Sequence, residues 1–211
     1  MKVKYKTEQE EFWAGNFGDE YVDRNNNSRN IARKTALFAK MLAKTHGVSR
    51  VLELGANIGQ NILAMQNLIP EAIFSAVEIN DKAADLLEKI PNTKVIRGSI
   101  LHFVPADLGQ HDLTMTCGVL IHVNPGQLNH VYTLLYECST SWVFINEYYN
   151  PTPVQVTYRG HADRLFKRDF AGEMLDKYPD LKLIDYGFQY SRDNNFPADD
   201  CTWFLMKKTI T

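Results

Sequence analysis

Apolar residues in this chain come in short runs, separated by stretches in which they recur every third or fourth position. Five runs rich in Val, Ile and Phe read as strands: "RVLELG" (50–55), "AIFSAVEI" (72–79), "TKVIRGS" (93–99), "HDLTMTCGV" (111–119) and "SWVFINEYY" (141–149). Between them "QNILAMQNL", "DKAADLLEKI" and "PGQLNHVYTLLYEC" read as helices. In the third, Asn124 is the expected cap and Pro125 the first helical residue, with Leu128, Val131 and Leu135 on one face. Strand–helix alternation of this length implies right-handed crossovers and a mostly parallel sheet covered on both faces.

The two ends depart from this rhythm. "SRNIARKTALFAKMLAKTHG" (28–47) is amphipathic, with Leu37, Phe38, Met41 and Leu42 apolar and Gly47 as a stop. After the fifth strand, "YYNPTPVQVTYRG" reads as a Pro-interrupted loop and "HADRLFKRDFAGEMLDKY" as a basic amphipathic helix. The last runs, "KLIDYGFQY" (182–190) and "CTWFLMKK" (201–208), have no room for a helix between them, so they are expected to pair antiparallel. The expected fold is therefore α/β and Rossmann-like: a mostly parallel seven-stranded sheet with a C-terminal antiparallel hairpin and helices on both faces. Residues 1–211 read as one domain, with 1–27 an N-terminal cap and 28–211 the core.

Composition narrows the picture in three respects. Hydrophobic residues at 45% and charged residues at 23% suffice for a full core in a 211-residue chain. A net charge of −2 argues against nucleic acid or an acidic membrane as partner. Cys117, Cys138 and Cys201 are widely spaced, with neither metal-ligand spacing nor a disulfide framework, which suggests a reducing, cytoplasmic setting. "MKVKYKTEQEEF" turns acidic before any apolar stretch develops, so a signal peptide is not expected, nor is any run long enough to span a membrane.

Chemistry enters at "VLELGANIGQN" (51–61), a glycine turn closing the first strand. A dinucleotide fingerprint needs glycines at the first, third and sixth positions, but Asn57 and Gln60 occupy the latter two. No Gly-Lys-Ser/Thr follows, so the Walker pattern fails as well. What remains is acidic-x-Gly-x-x-x-Gly: Glu53, Gly55 and Gly59. Glu78 closes the next strand, where a carboxylate is placed to accept both hydroxyls of a ribose.

This set resembles the class I S-adenosylmethionine-dependent methyltransferases. The resemblance implies S-adenosyl-L-methionine as cofactor. It places Glu53, Gly55, Ala56, Asn57 and Gly59 at the methionine part, Glu78 and Ile79 at the ribose, and Ser99 and Ile100 at the adenine edge. Cys117 and Gly118 would lie beneath the sulfonium; Ser99 stands where many such enzymes carry Asp. Trp13, Phe17 and Tyr21 fall at helical spacing, which suits packing on the sheet or a lid over the cofactor. In the lid reading, Trp13 and Tyr21 join the cofactor site and Arg24 or Asn25 reaches the methionine carboxylate.

Three stretches carry a narrower resemblance: "EFWAGNFGDEYVDRN" (11–25), "YYNPTPVQVTYRGHADRLFKRDFAGEM" (148–174) and "YGFQYSRDNNFPADDCTWFLMKK" (186–208). They resemble the pseudaminic acid biosynthesis-associated methylases. That likeness implies an enzyme from a gene neighbourhood that makes or decorates nonulosonic acids, nine-carbon acidic sugars of bacterial surface glycans, with an acidic sugar or sugar nucleotide as the expected partner. For an anionic acceptor the candidate contacts are Tyr148, Tyr149, Tyr158, Arg159, Arg164, Arg168 and Asn194, arginine's planar fork suiting a carboxylate or phosphate. On a helix, Lys167, Arg168 and Asp169 would equally form a solvated face.

A hydroxyl acceptor must lose a proton, and His122, Glu147 and His161 are the candidate bases, His122 first because it follows the fourth strand. Other readings stay open. A nicotinamide-dependent oxidoreductase is disfavoured by the missing glycines, and a silent partner of sugar-pathway enzymes by the intact cofactor residues. An amine or carboxylate acceptor is not excluded, nor is either a monomer or a homodimer.

Overall fold

The computed structural model describes residues 5–25 and 27–209. Helices α1 (Glu8–Ala14) and α2 (Asn16–Asn25) precede α3 (Ser28–Leu42). Alternation follows: β1 (Arg50–Leu54), α4 (Gln60–Gln66), β2 (Ile73–Glu78), α5 (Asp81–Leu87), β3 (Thr93–Arg97), α6 (Pro105–Leu108), β4 (His111–Cys117), α7 (Leu128–Glu137) and β5 (Ser139–Glu147). The chain then forms β6 (Val154–Tyr158), β7 (His161–Lys167), α8 (Phe170–Lys177), β8 (Leu181–Phe188) and β9 (Thr202–Lys208).

The main sheet has seven strands in the order β3-β2-β1-β4-β5-β9-β8. Strands β1 to β5 are parallel; β9 runs antiparallel to both β5 and β8. From β1 the chain winds outward to β2 and β3, then returns to lay β4 on the opposite side. That reversal opens a crevice beyond the carboxyl ends of β1 and β4, the usual ligand position in such sheets.

Two apolar layers hold the sheet. Leu52, Leu54, Val143 and Ile145 face α7 and α8, while Val51, Phe74, Leu113 and Phe144 face Phe38 and Met41 of α3 and Ile62 and Met65 of α4. Burial on both faces explains why the strands read as continuous apolar runs. Phe144 is fully buried and lies against Phe38, ring centroids 5.8 Å apart. Truncating such a ring costs about 3–5 kcal/mol. Asn124 caps as expected, accepting the Gly126 amide at 3.0 Å, though Pro125 begins a single 3₁₀ turn and the α-helix starts at Leu128.

One expectation fails. Residues 161–178 are not a single helix: His161–Lys167 is strand β7, and only Phe170–Lys177 is helical. The preceding "loop" holds β6, and the two strands form a separate antiparallel hairpin. Arg159 (φ 47°) and Gly160 (φ 84°) both take positive φ between the strands, the backbone of a type I′ hairpin turn. The β-branched run "VQVTY" supplies the partner strand, which overrides the weak helical periodicity of "HADRLFK". Helix α8 begins where Asp169 can cap it, accepting the Gly172 amide at 2.8 Å.

Candidate active site

The glycine turn after β1 is fixed by sterics and by β2. Gly55 has φ 77°, and a Cβ there would sit 2.7 Å from Val119 Cγ2; Gly59 has φ 76°, and its Cβ would meet Leu87 Cδ1 at 2.5 Å. Asn57, the residue in place of a middle glycine, also takes positive φ, 50°, as asparagine does more readily than other side chains. The amides of Gly55 and Ala56 both donate to Val77 O, at 2.9 and 3.1 Å. The Asn57 amide donates to Glu78 Oε2 at 2.6 Å, and the Asn80 amide to Glu78 Oε1 at 2.7 Å. Burial raises the pKa of Glu78, opposed by these amides.

Two cavities open above this turn, of about 150 and 130 Å³, and Tyr21, Gly55, Asn57, Cys117 and Gly118 wall both. They are two halves of one cleft over the ends of β1, β2 and β4. Glu78, Ile79, Ser99 and Ile100 line the first, together with Glu10, Trp13 and His122. Asn25, Ala56 and Asn61 line the second, together with Arg33, Lys34, Asn146 and Asp199.

Glu53 stands behind the second cavity. Lys34 Nζ donates to Asn61 Oδ1 at 2.7 Å, and Asn61 Nδ2 donates to Glu53 Oε1. The other oxygen, Oε2, is buried without a hydrogen-bond partner. Burial pushes this carboxyl up to about 7, against the pull of Asn61 and Lys34. Asn146 repeats the pattern: its amide donates to Gln189 Oε1 at 2.8 Å while Oδ1 is buried and unpaired.

His122 is held between aromatic rings, 4.6 Å from Trp13 and 4.9 Å from Tyr158 between centroids. Its Nδ1 hydrogen-bonds the Arg164 carbonyl, so Nδ1 carries the proton and Nε2 keeps its lone pair. Burial depresses its pKa to about 4, so the ring is neutral at ordinary pH. Glu147 does not line the cleft. Its carboxylate accepts the amides of Val119, Leu120 and Ile121 at 3.0, 3.1 and 3.4 Å, fixing the turn that carries His122. Burial raises it to about 7, with those amides lowering it.

The expected basic cluster does not converge on the cleft. Arg168 is tied to Glu173 at 2.7 Å, and Glu173 also accepts the Tyr132 hydroxyl at 2.7 Å. Arg164 pairs with Glu8 at 3.2 Å and lies over Phe12. Arg159 and Asn194 are exposed on their turns, and Arg24 is paired with Glu20. Tyr149 is half-exposed near Phe204, and the Tyr148 ring carries Lys167 Nζ 5.1 Å from its centroid. His161 and Tyr158 instead meet the N-terminal helices: His161 packs on Phe12 and Phe17, Tyr158 on Trp13 and Phe17. The hairpin thus braces α1 and α2 over the first cavity, with Gln9 Nε2 donating to Asp163 O at 2.9 Å.

Sequence reasoning passed over Glu10, Lys34 and Asn61. Glu10 was visible as the far end of a Thr7-x-x-Glu10 capping box, which the structure closes. Lys34 lies four residues after Asn30 on the polar face of α3, a spacing that any solvated helix face shares.

No protein-family model matches the chain, and no curated protein matches it. Solved structures do. The plantazolicin methyltransferase BpumL in complex with S-adenosylhomocysteine (SAH) is similar with a TM-score of 0.67 at 11% identity, over 96% of this chain and 94% of that one. Magnesium protoporphyrin IX methyltransferase (ChlM) from Synechocystis PCC 6803, with SAH bound, gives 0.68 at 11% identity over 95% and 98%. The N-terminal domain of EvdMO1, in the presence of SAH and D-fucose, gives 0.59 at 14% identity over 89% and 85%. The fold is that of the class I methyltransferases. Its seven-stranded order is complete here, and the β6–β7 hairpin stands outside the sheet.

Proposed function

We propose that the protein is an S-adenosyl-L-methionine-dependent methyltransferase acting on the hydroxyl of a small polar acceptor, an acidic sugar of the nonulosonic type or its activated form. The observation that carries the cofactor assignment is Glu78, whose carboxylate closes β2, braces the Gly55–Gly59 turn and lines the first cavity. A carboxylate so placed suits ribose hydroxyls. The buried, unpaired Glu53 Oε2 suits an ammonium reaching in beside Lys34 and Asn61. Adenosine then belongs to the first cavity and the methionine part to the second.

When bound, the cofactor supplies a methyl group already activated on a sulfonium. The chain's own task is alignment, exclusion of water and removal of the acceptor's proton. Cys117 and Gly118, walls of both cavities, mark the place where the two halves meet. Trp13 and Tyr21 cover it, and Asn25 joins the second cavity from the end of α2. His122 takes the proton on Nε2; a ring with so low a pKa is a weak base but an always available one above about pH 5.

The acceptor is drawn to the junction of the two cavities, where His122 reaches in from the first while Arg33 offers a cation and Asn146 Oδ1 an unpaired acceptor for a sugar hydroxyl from the second. A sugar acceptor accords with the N-terminal domain of EvdMO1, similar in fold, having been crystallised in the presence of SAH and D-fucose. It accords also with the resemblance of the flanking stretches to the pseudaminic acid methylases. The reading is tested by incubating the protein with S-adenosylmethionine and nonulosonic acids, free and nucleotide-activated, and following the product by mass spectrometry. A methylated sugar supports it; cofactor binding without turnover of any acidic sugar removes the acceptor assignment.

A further inference from the structure

Helix α1 carries two buried polar groups without a hydrogen-bond partner among the described residues. Glu10 is 6% exposed and lines the first cavity. Its Oε2 accepts the Lys6 and Thr7 amides at 2.8 and 2.7 Å and the Thr7 hydroxyl at 3.1 Å, which completes the helix cap. Its Oε1 is buried and has no hydrogen-bond partner; His102 Nε2, at 3.6 Å, lies beyond hydrogen-bond range. Three residues along the same helix, the Trp13 indole Nε1–H is also buried and unpaired, and Trp13 lines the same cavity. Residues three apart on a helix share a face.

Such groups are rare because leaving them unmade is costly, so an unpaired acceptor beside an unpaired donor points to a ligand bearing the converse pair. Ile79, Ser99 and Ile100 line the same cavity, and the Ser99 hydroxyl accepts the Leu101 amide at 3.1 Å. Glu10 and Glu78 are the only carboxylates among the described residues that line this cavity, and Glu78 is assigned to the ribose. We propose that α1 reads the edge of the cofactor's purine. Glu10 Oε1 accepts from the exocyclic amine, and Trp13 Nε1–H donates to a neighbouring ring nitrogen. This rests on the adenosine assignment above. It makes the N-terminal segment a determinant of cofactor identity as well as a cover, because a 6-oxopurine would set its oxygen against that of Glu10.

The test uses calorimetric titration of the full chain with SAH and with its 6-oxo counterpart, S-inosylhomocysteine. Glu10→Gln is the informative variant. The glutamine carbonyl retains the capping box, and its amide places a donor where the acceptor was. The wild type is expected to prefer the adenosyl ligand by at least about tenfold, the scale of one charge-assisted hydrogen bond. In Glu10→Gln that preference should collapse toward unity or reverse. Trp13→Phe should weaken the adenosyl ligand several-fold with the thermal midpoint retained. An unchanged preference in Glu10→Gln, or none in the wild type, overturns the proposal while leaving the cofactor assignment standing. Failure of the folded wild type to bind SAH at all overturns both.

Discussion

Glu78 Oε2 accepts the backbone amide of Asn57 at 2.6 Å, across the gap between the end of β2 and the turn after β1. One carboxylate therefore shapes the loop and lines the cavity that the loop encloses. The left-handed backbone at Asn57 is held from outside, which is why an asparagine serves at a position where a glycine would otherwise be needed.

Removing that carboxylate should be felt twice. Glu78→Ala is expected to weaken SAH by about 10- to 100-fold, the range of a lost charge-assisted hydrogen bond, with further loss from loosening of the Asn57 turn. Titration calorimetry measures it, and a change of less than about threefold would be inconsistent with Glu78 as the ribose acceptor.

The turn itself gives a stability prediction. Gly59→Ala adds a methyl 2.3 Å from Ile90 Cδ1 and 2.5 Å from Leu87 Cδ1, at φ 76°. Gly160, in the β6–β7 turn, also takes positive φ, 84°, but a Cβ there meets nothing within 4 Å. Gly160→Ala should therefore cost only the backbone strain, about 1 kcal/mol, and Gly59→Ala about 2–4 kcal/mol. Equal costs in denaturant unfolding would show that the Leu87–Ile90 contact yields freely.

His122 should leave a signature in acid. Its folded pKa of about 4 lies below the ordinary 6.5, so between these values the unfolded chain binds the proton and the folded protein does not. The stability tied to the neutral ring is fully present above about pH 6.5 and is lost as pH falls toward 4, at most about 3 kcal/mol. Glu53 and Glu147, raised to about 7 from 4.5, act in the opposite sense, losing stability as pH rises through that window. The difference between wild type and His122→Asn isolates the histidine: it should change by up to about 3 kcal/mol between pH 7 and 4. A flat difference would mean that folding leaves the ring's pKa at its ordinary value.

Arg168 distinguishes a structural arginine from an acceptor contact. Its guanidinium is spent on Glu173, which also holds the Tyr132 hydroxyl. Arg168→Ala is expected to lower stability by about 1–3 kcal/mol and to leave SAH affinity within about twofold. Arg33→Ala should do the reverse, sparing stability and weakening ligands of the second cavity.

Much of this was legible from spacing alone. The five parallel strands, the final antiparallel pair and the glycine turn follow from apolar runs and from residues that tolerate positive φ. Glu78 closes a strand and so faces the crevice, while Ser99 and Gly118, singled out by the methyltransferase resemblance, line the first cavity. The β6–β7 hairpin was not legible: "HADRLFK" has a helix-like charge pattern, and its strand character depends on pairing with "VQVTY" across Arg159–Gly160. The role of Glu147 was hidden for a related reason. A carboxylate at a strand end looks catalytic until it is seen, unlike Glu78, to line neither cavity and to be held on the Val119, Leu120 and Ile121 amides. Glu10 and Lys34 are brought to the cleft by helices packed from outside the sheet, which no local periodicity announces.

The most direct measurement is calorimetric titration of the purified, ligand-free protein with S-adenosylmethionine and SAH, with NAD as control. The account predicts micromolar binding of both sulfur ligands, no binding of NAD, and loss of binding in Glu78→Ala. Folded protein that binds neither sulfur ligand would contradict it, and the Gly55–Gly59 turn would then be a structural turn and nothing more.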